Sequence, residues 1–202
     1  MIKRILSLTV GEMRSKIYFV EGENGKSLMI DCGASDGFVS SFIEKNSLSI
    51  GAVLLTHGHF DHIGGLDYAE KNAIDVYIGE YDAPMLSDDY LNLSMAFCSP
   101  VPHIKKFKKL PEGEVEICGF KVNVIHTPGH TAGSVCYLIE NELFSGDTMF
   151  FETFGRCDLP TSDKNAMLLS LKKLCGLDEN IRVYPGHGAE TTVKHEKDYY
   201  GF

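Results

Sequence analysis

Four side chains able to bind a metal crowd into six residues: His57, His59, Asp61 and His62, in the run Thr56-His57-Gly58-His59-Phe60-Asp61-His62. The run directly follows the apolar stretch Ala52-Val53-Leu54-Leu55. A strand end that needed only solubility would use one or two polar residues of any kind. Imidazole and carboxylate together suit zinc or iron. Three further candidates also follow apolar stretches. His130 comes after residues 120–126, Asp147 after Leu143-Phe144-Ser145-Gly146, and His187 after residues 181–184. The resulting set, His57, His59, Asp61, His62, His130, Asp147 and His187, exceeds what one tetrahedral ion needs. It suffices for two if one carboxylate bridges.

Separate loops converge on one point at little ordering cost when a rigid set of strand ends carries them. Apolar runs and alternation bounded by turn residues predict strands at residues 1–10, 16–21, 27–31, 52–56, 75–79, 115–118, 120–126, 134–139, 142–145 and 181–184. Helices are expected over 38–45, 62–71 and 166–174. A strand, then a loop of candidate ligands, then a helix recurs in both halves without a repeated sequence. Mixed strands and helices give an α/β class. No shift of composition marks a linker, so residues 1–202 read as a single domain. Residues 80–109, with Pro84, Pro100 and Pro102, form a long irregular segment, which inside a compact domain is more often functional than idle. Its apolar residues, Tyr81, Met85, Leu93 and Phe97 among them, and the closing run Lys105-Lys106-Phe107-Lys108-Lys109 have two readings. They form one wall of a substrate pocket, or a loop folded on the core with its lysines in water.

With 44% hydrophobic and 23% charged residues, the composition is that of an ordinary globular protein. The formal charge of −9 argues against nucleic acid as the main partner. No apolar run approaches the roughly 18 residues of a membrane helix. The N-terminus, interrupted at Gly11-Glu12, reads as a strand and not as a signal peptide. The six cysteines, Cys32, Cys98, Cys118, Cys136, Cys157 and Cys175, form no C-x-x-C pair. Reduced thiols in a cytoplasm are the simplest account. The expected partner is a small-molecule substrate, with neither nucleic acid nor membrane; the oligomeric state is left open.

Taken together, T-H-G-H-F-D-H-I-G-G from Thr56, H-T-P-G-H-T-A-G-S from His126, F-S-G-D-T from Phe144 and V-Y-P-G-H-G from Val183 resemble the motifs of the metallo-β-lactamase superfamily. The likeness is greatest to its glyoxalase II-like hydrolase branch. The motifs stand in family order and span residues 31–188. The resemblance implies a four-layer αβ/βα sandwich, two mixed sheets face to face with helices outside and metals at one edge. It implies that His57, His59 and His130 hold a first metal, that Asp61, His62 and His187 hold a second, and that Asp147 bridges. The residue types agree. His57 and His59 are two apart and point the same way on an extended tip, and Asp147 has two oxygens for two ions. His126 is not a ligand in the family, so packing or a supporting hydrogen bond is its expected job. His103 and His195 match no motif and are expected at the surface. Asp31 is expected either to orient a ligand or to serve a turn. It precedes Cys32-Gly33 where relatives often have proline, which puts a thiol near the site.

The implied chemistry is hydrolysis. Two zinc ions, with iron or manganese as alternatives, would hold a hydroxide at neutral pH and polarise a carbonyl. Asp61 would be the catalytic carboxylate that orients the nucleophile or takes its proton. A thioester such as an S-acylglutathione fits, because thiolate leaves readily. Authentic glyoxalase II enzymes carry an additional C-terminal helical region, which is not expected in these 202 residues. The competing readings are a persulfide dioxygenase with one iron on His57, His130 and Asp147, a lactone or ester hydrolase, and a metal-bound module without catalysis. A flavodiiron-type oxidoreductase is disfavoured, since that branch replaces the second histidine of the motif with an acid.

Overall fold

The computed structural model covers residues 1–202 and describes all of them except the side chain of Asp36. Two six-stranded sheets pack face to face. The first comprises β1 (Ile2–Val10), β2 (Ser15–Gly22), β3 (Ser27–Ile30), β4 (Ile50–Leu55), β5 (Asp75–Gly79) and β6 (Lys108–Leu110), in that order across the sheet. Its first three strands are antiparallel and its last four run parallel. The second comprises β7 (Gly113–Ile117), β8 (Phe120–His126), β9 (Val135–Ile139), β10 (Glu142–Gly146), β11 (Arg182–Pro185) and β12 (Thr191–Thr192). It is antiparallel except where β10 meets β11. The helices are α1 (Asp36–Lys45), α2 (Phe60–Ile63), α3 (Asp67–Lys71), α4 (Lys164–Cys175) and α5 (Val193–Tyr200).

Three apolar layers follow from the period-two alternation of strands that bury both faces. In β2, Tyr18 and Val20 face the partner sheet while Ile17 and Phe19 face the helices; in β4, Ala52 and Leu54 oppose Val53 and Leu55. Phe19, Val53 and Leu55 join Val39 and Ile43 of α1 and Ala69 of α3 in one outer core. Leu143 and Val183 join Met167, Leu171 and Leu174 of α4 in the other. The expected αβ/βα sandwich is the observed fold. Two buried tyrosines cross the middle layer: Tyr18 Oη donates to Pro185 O at 2.8 Å and Tyr137 Oη to Leu55 O at 2.6 Å. Each bond ends beside a loop carrying candidate ligands, so the two sheets are locked in register at that edge.

The expected strands are present with ends shifted by one or two residues, but several elements differ. The helix expected over 62–71 is two helices. They part at Gly64-Gly65 because the backbone there runs against residues 33–34: a Cβ on Gly65 would lie 1.6 Å from Ala34 O. Residues 80–109 are partly ordered, with a 3-10 helix at Glu80–Leu86 and β6 at the end. That strand takes in two residues of the lysine run, Lys108 paired with Asp75 and Lys109 with Glu80. The helix α5 was not anticipated, for its sequence is mostly polar and buries only Val193 and Glu196.

Candidate metal centre

All seven anticipated residues come together at one edge of the sandwich, where β4, β8, β10 and β11 end. Three overlapping groups of side chains could hold an ion: His57, His59 and His130; His57, His62 and Asp147; and Asp61, His62 and His187. Within each group the ligand atoms lie within 4.8 Å of one another. His59 Nδ1 is 2.9 Å from His130 Nε2, and His62 Nε2 is 3.4 Å from His187 Nε2. Asp147 lies between the two sides, Oδ1 3.5 Å from His62 Nε2 and Oδ2 3.5 Å from both His130 Nε2 and His187 Nε2. Asp61 Oδ2 is 3.3 Å from His187 Nε2.

Outer partners aim the imidazoles. His130 Nδ1 reaches Arg156 O at 2.9 Å, His187 Nδ1 reaches Met13 O at 3.0 Å, and His62 Nδ1 reaches Asp31 Oδ2 at 2.8 Å. A carbonyl or carboxylate only accepts, so each Nδ1 carries a proton and turns Nε2 toward the cluster. His57 follows the same rule through Thr56. That hydroxyl donates to Asp31 Oδ2, so its oxygen accepts from His57 Nδ1 at 3.1 Å. Asp31 is thus an orienting residue and not merely a turn. In the left-handed backbone region, at φ 60°, its carboxylate also receives Thr56 N–H at 2.7 Å. His57 Nε2 and Asp147 Oδ1 are buried with no hydrogen-bond partner. A buried polar atom without a partner is costly, and a divalent cation would satisfy both. The donor set of imidazoles and carboxylates fits such an ion.

Glycines allow the close approach. A Cβ on Gly186 would meet Asp147 Oδ1 at 2.3 Å and His62 Cε1 at 2.9 Å. Gly146, at φ 50°, brings the end of β10 against Thr56, where a Cβ would lie 2.4 Å from the hydroxyl oxygen. Asp82, which sequence reasoning missed, binds two ligand loops together. Its buried carboxylate accepts from Gly58 N at 3.2 Å, Gly133 N at 2.7 Å and Thr131 Oγ1 at 2.6 Å. Gly58 lies between His57 and His59, and Thr131 follows His130. Burial raises the pKa of Asp82 despite these bonds. No motif marks it; the available signal was an acid directly before the apolar run Ala83-Pro84-Met85-Leu86.

Electrostatics divide the cluster. Burial holds His57 and His59 well below the usual histidine range, with neighbouring imidazoles adding to the effect. Burial opposes charge at His62 too, but Asp61, Asp31 and Asp147 outweigh it and push its pKa up to about 10. His187 is also raised, by Asp61 and Asp147 against burial. Asp61 is lowered: burial works against its charge, but His62 and His187 prevail.

A cavity of about 210 Å³ opens on the cluster. Met13, Phe60, Leu93, Phe97, Phe150 and Leu159 give it apolar walls, and Arg156 is its cation. The guanidinium of Arg156 is paired with Asp158. The irregular segment therefore does form a wall, through Leu93 and Phe97, with Phe97 stacked on Phe60 at 4.9 Å. The lysines do not take part. Lys105, Lys106 and Lys108 border a separate depression with Ala69, Glu70 and Ile74. His126, His103 and His195 also stand outside the cluster, bonded to Ala132 O, Asp89 and Glu152.

The sequence profile of the metallo-beta-lactamase superfamily matches residues 10–187. The chain belongs to that superfamily. Among curated relatives, the probable metallo-hydrolase YqgX of Bacillus subtilis (strain 168) is 34% identical over 95% of this chain and 93% of its own. The hydroxyacylglutathione hydrolase GloC of Haemophilus influenzae is 29% identical over 96% and 93%. Among solved structures, the BLEG-1 B3 metallo-beta-lactamase superposes with a TM-score of 0.91 at 32% identity, covering 96% of this chain and 97% of that one. TTHA1623 in a di-iron-bound form superposes at 0.86 with 34% identity, covering 95% and 96%. The chain is therefore a member of a metallo-hydrolase family with a histidine and aspartate site able to hold metal. Among the described residues, no helix is long and apolar enough to cross a membrane.

Proposed function

We propose that this chain is a hydrolase with two divalent ions, zinc in the first instance, that opens a thioester such as an S-acylglutathione. The observation that carries the reading is the double cluster itself. Two ligand groups flank one shared carboxylate, Asp147, at the floor of an apolar-walled cavity. His57, His59 and His130 would hold one ion, and Asp61, His62 and His187 the other. Bound divalent ions supply Lewis acidity, which activates water at neutral pH and polarises a carbonyl. Asp61, on the rim and only partly buried, is placed to accept a hydrogen bond from the attacking water and hold it toward the substrate. Met13, Phe97 and Phe150 exclude bulk water and seat the acyl group. Phe60 and Asp61 border both this cavity and a neighbouring one of about 460 Å³, which gives room for the thiol carrier.

The GloC relative supports the choice of thioester, and the di-iron form of TTHA1623 favours testing iron beside zinc. Elemental analysis of protein purified without added metal, with hydrolysis of S-lactoylglutathione, tests the proposal. About two metals per chain and turnover that chelation abolishes are expected. One iron per chain with oxygen consumption on glutathione persulfide would replace the hydrolase by a dioxygenase. An occupied site with no turnover of any ester, thioester or persulfide would leave a binding module.

A further inference from the structure

One wall of the cavity is held from a distance by the helix that the sequence did not announce. Residues 150–153 form a tight turn, closed by Phe150 N–H to Thr153 O at 2.9 Å, with Glu152 in the left-handed region at φ 56°. Phe150 lines the cavity, and its ring centroid stands 5.9 Å from that of His187. Three residues of α5 grip this turn. The fully buried Glu196 carboxylate accepts Glu152 N–H, at 3.1 Å to Oε2, and Thr191 Oγ1 at 2.7 Å. Tyr200 Oη donates to Thr153 O at 2.7 Å. His195 Nε2 meets Glu152 Oε1 at 3.1 Å while its ring stacks on Phe151 at 4.9 Å. The helix itself is fixed by Thr192, which caps it by accepting His195 N–H, and by Val193, buried in the same apolar layer as α4.

A buried carboxylate with no cation among its partners is expensive unless hydrogen bonds satisfy it. Here those bonds go to the backbone of one turn and to one threonine, which fixes the turn rather than supporting helix packing in general. The grip ends at Thr153. Beyond it Gly155 N–H returns to Asp147 O at 3.1 Å, so the same loop runs from the shared carboxylate, past the cavity wall, back to the metal centre.

We propose that α5 sets acyl-group selectivity: Glu196 and Tyr200 are positioning residues that hold the Phe150 ring as the apolar wall beside the metal centre. This rests on the reading of the cavity as an acyl-thioester site. A binding measurement on substances that cannot be hydrolysed therefore separates it from catalysis. S-hexylglutathione and S-methylglutathione are thioethers differing only in the apolar group. Their dissociation constants are measured on metal-loaded wild type, Phe150→Ala, Tyr200→Phe and Glu196→Gln, with metal content and hydrogen exchange over residues 148–156.

Wild type is expected to prefer the hexyl compound. Phe150→Ala should cut that preference about tenfold, the order of discrimination an apolar pocket commands. Tyr200→Phe, which keeps the ring and its packing, should speed exchange at Phe150 and Glu152 about fivefold, the factor corresponding to one hydrogen bond. It should lower the preference in the same direction, and Glu196→Gln should do both. Metal content should stay at the wild-type value in all three. Unchanged exchange in both α5 variants would remove the clamp. Faster exchange with an unchanged preference would reduce α5 to a brace and overturn its role in selectivity. Equal binding of the two thioethers by wild type, or binding of neither, would overturn the wall, whether or not thioesters are hydrolysed.

Discussion

His57, His59 and His130 meet with no carboxylate among them, whereas Asp61, His62 and His187 gather around one, with Asp147 facing both groups. In the first group the rings are almost wholly buried and burial keeps His57 and His59 neutral. Their lone pairs stand ready for a cation. Both groups border the cavity, the first through His59 and His130 and the second through Asp61 and His187, but only in the second do carboxylates hold a proton on an imidazole, that of His62. The same residue types thus make one site without acid and one acid-rich site whose imidazole must give up a proton before it can ligate.

The strongest challenge to this division is Asp147→Asn, which removes the charge that both groups share while preserving size. Both metals should be weakened and turnover should fall about a hundredfold or more, beyond the 10–100-fold that outer partners of ligands command. Near-normal metal content and rate would show that the two groups do not share this carboxylate.

Asp82→Asn should separate the groups. It puts an amide where a carboxylate now receives Gly58 N–H, Gly133 N–H and the Thr131 hydroxyl. Affinity for the first metal should drop about 10–100-fold while the second is kept, as read by metal titration. Equal loss at both groups would mean that they fold as one unit.

A smaller, graded effect is expected with pH. The His62 pKa is raised to about 10 and that of His187 is raised too, so a cation entering the second group displaces the His62 proton and, near neutrality, part of the His187 proton as well. Affinity there should rise about tenfold per pH unit from roughly pH 7, above the ordinary histidine value, toward 10, and then level off. The first group, with His57 and His59 lowered, should show no such slope above neutrality. The sign for the chain without metal is opposite. A raised histidine stabilises the fold fully below its unfolded pKa of about 6.5, and that contribution is lost as pH climbs through 10. Chelated protein should therefore melt at lower temperature at pH 10 than at pH 7. Equal pH slopes at both groups would erase the electrostatic distinction.

The smallest effect belongs to His103→Ala. This exposed residue pairs with Asp89 away from the cluster, and its loss should change stability by less than about 0.5 kcal/mol and leave metal content untouched.

The ligand set was legible because each member sits at the end of an apolar strand within a short, dense motif, and because strand ends of one sandwich edge must lie near one another. Phe97 was legible only as an apolar residue in a suspicious loop. Its place against Phe60 depends on how that loop folds back. The lysine run left two readings open for the reverse reason: near in sequence to cavity residues, it enters β6 and leaves on another face, as the reading with the lysines outside the pocket had it.

By itself, then, the sequence determined an α/β chain with seven candidate ligands at its strand ends, because alternation and motif spacing are local properties of the chain; the two-sheet sandwich was implied by the resemblance of those motifs to a family. Only the tertiary structure decided what surrounds them. Asp82, 24 residues from Gly58 and 51 from Gly133, and Glu196, 44 from Glu152, accept hydrogen bonds from backbone N–H groups. Any segment offers those groups, so no residue pattern encodes which one a distant carboxylate will meet. The charge on His62 is decided in the same way, since it depends on three carboxylates brought close by two separate loops and a strand end.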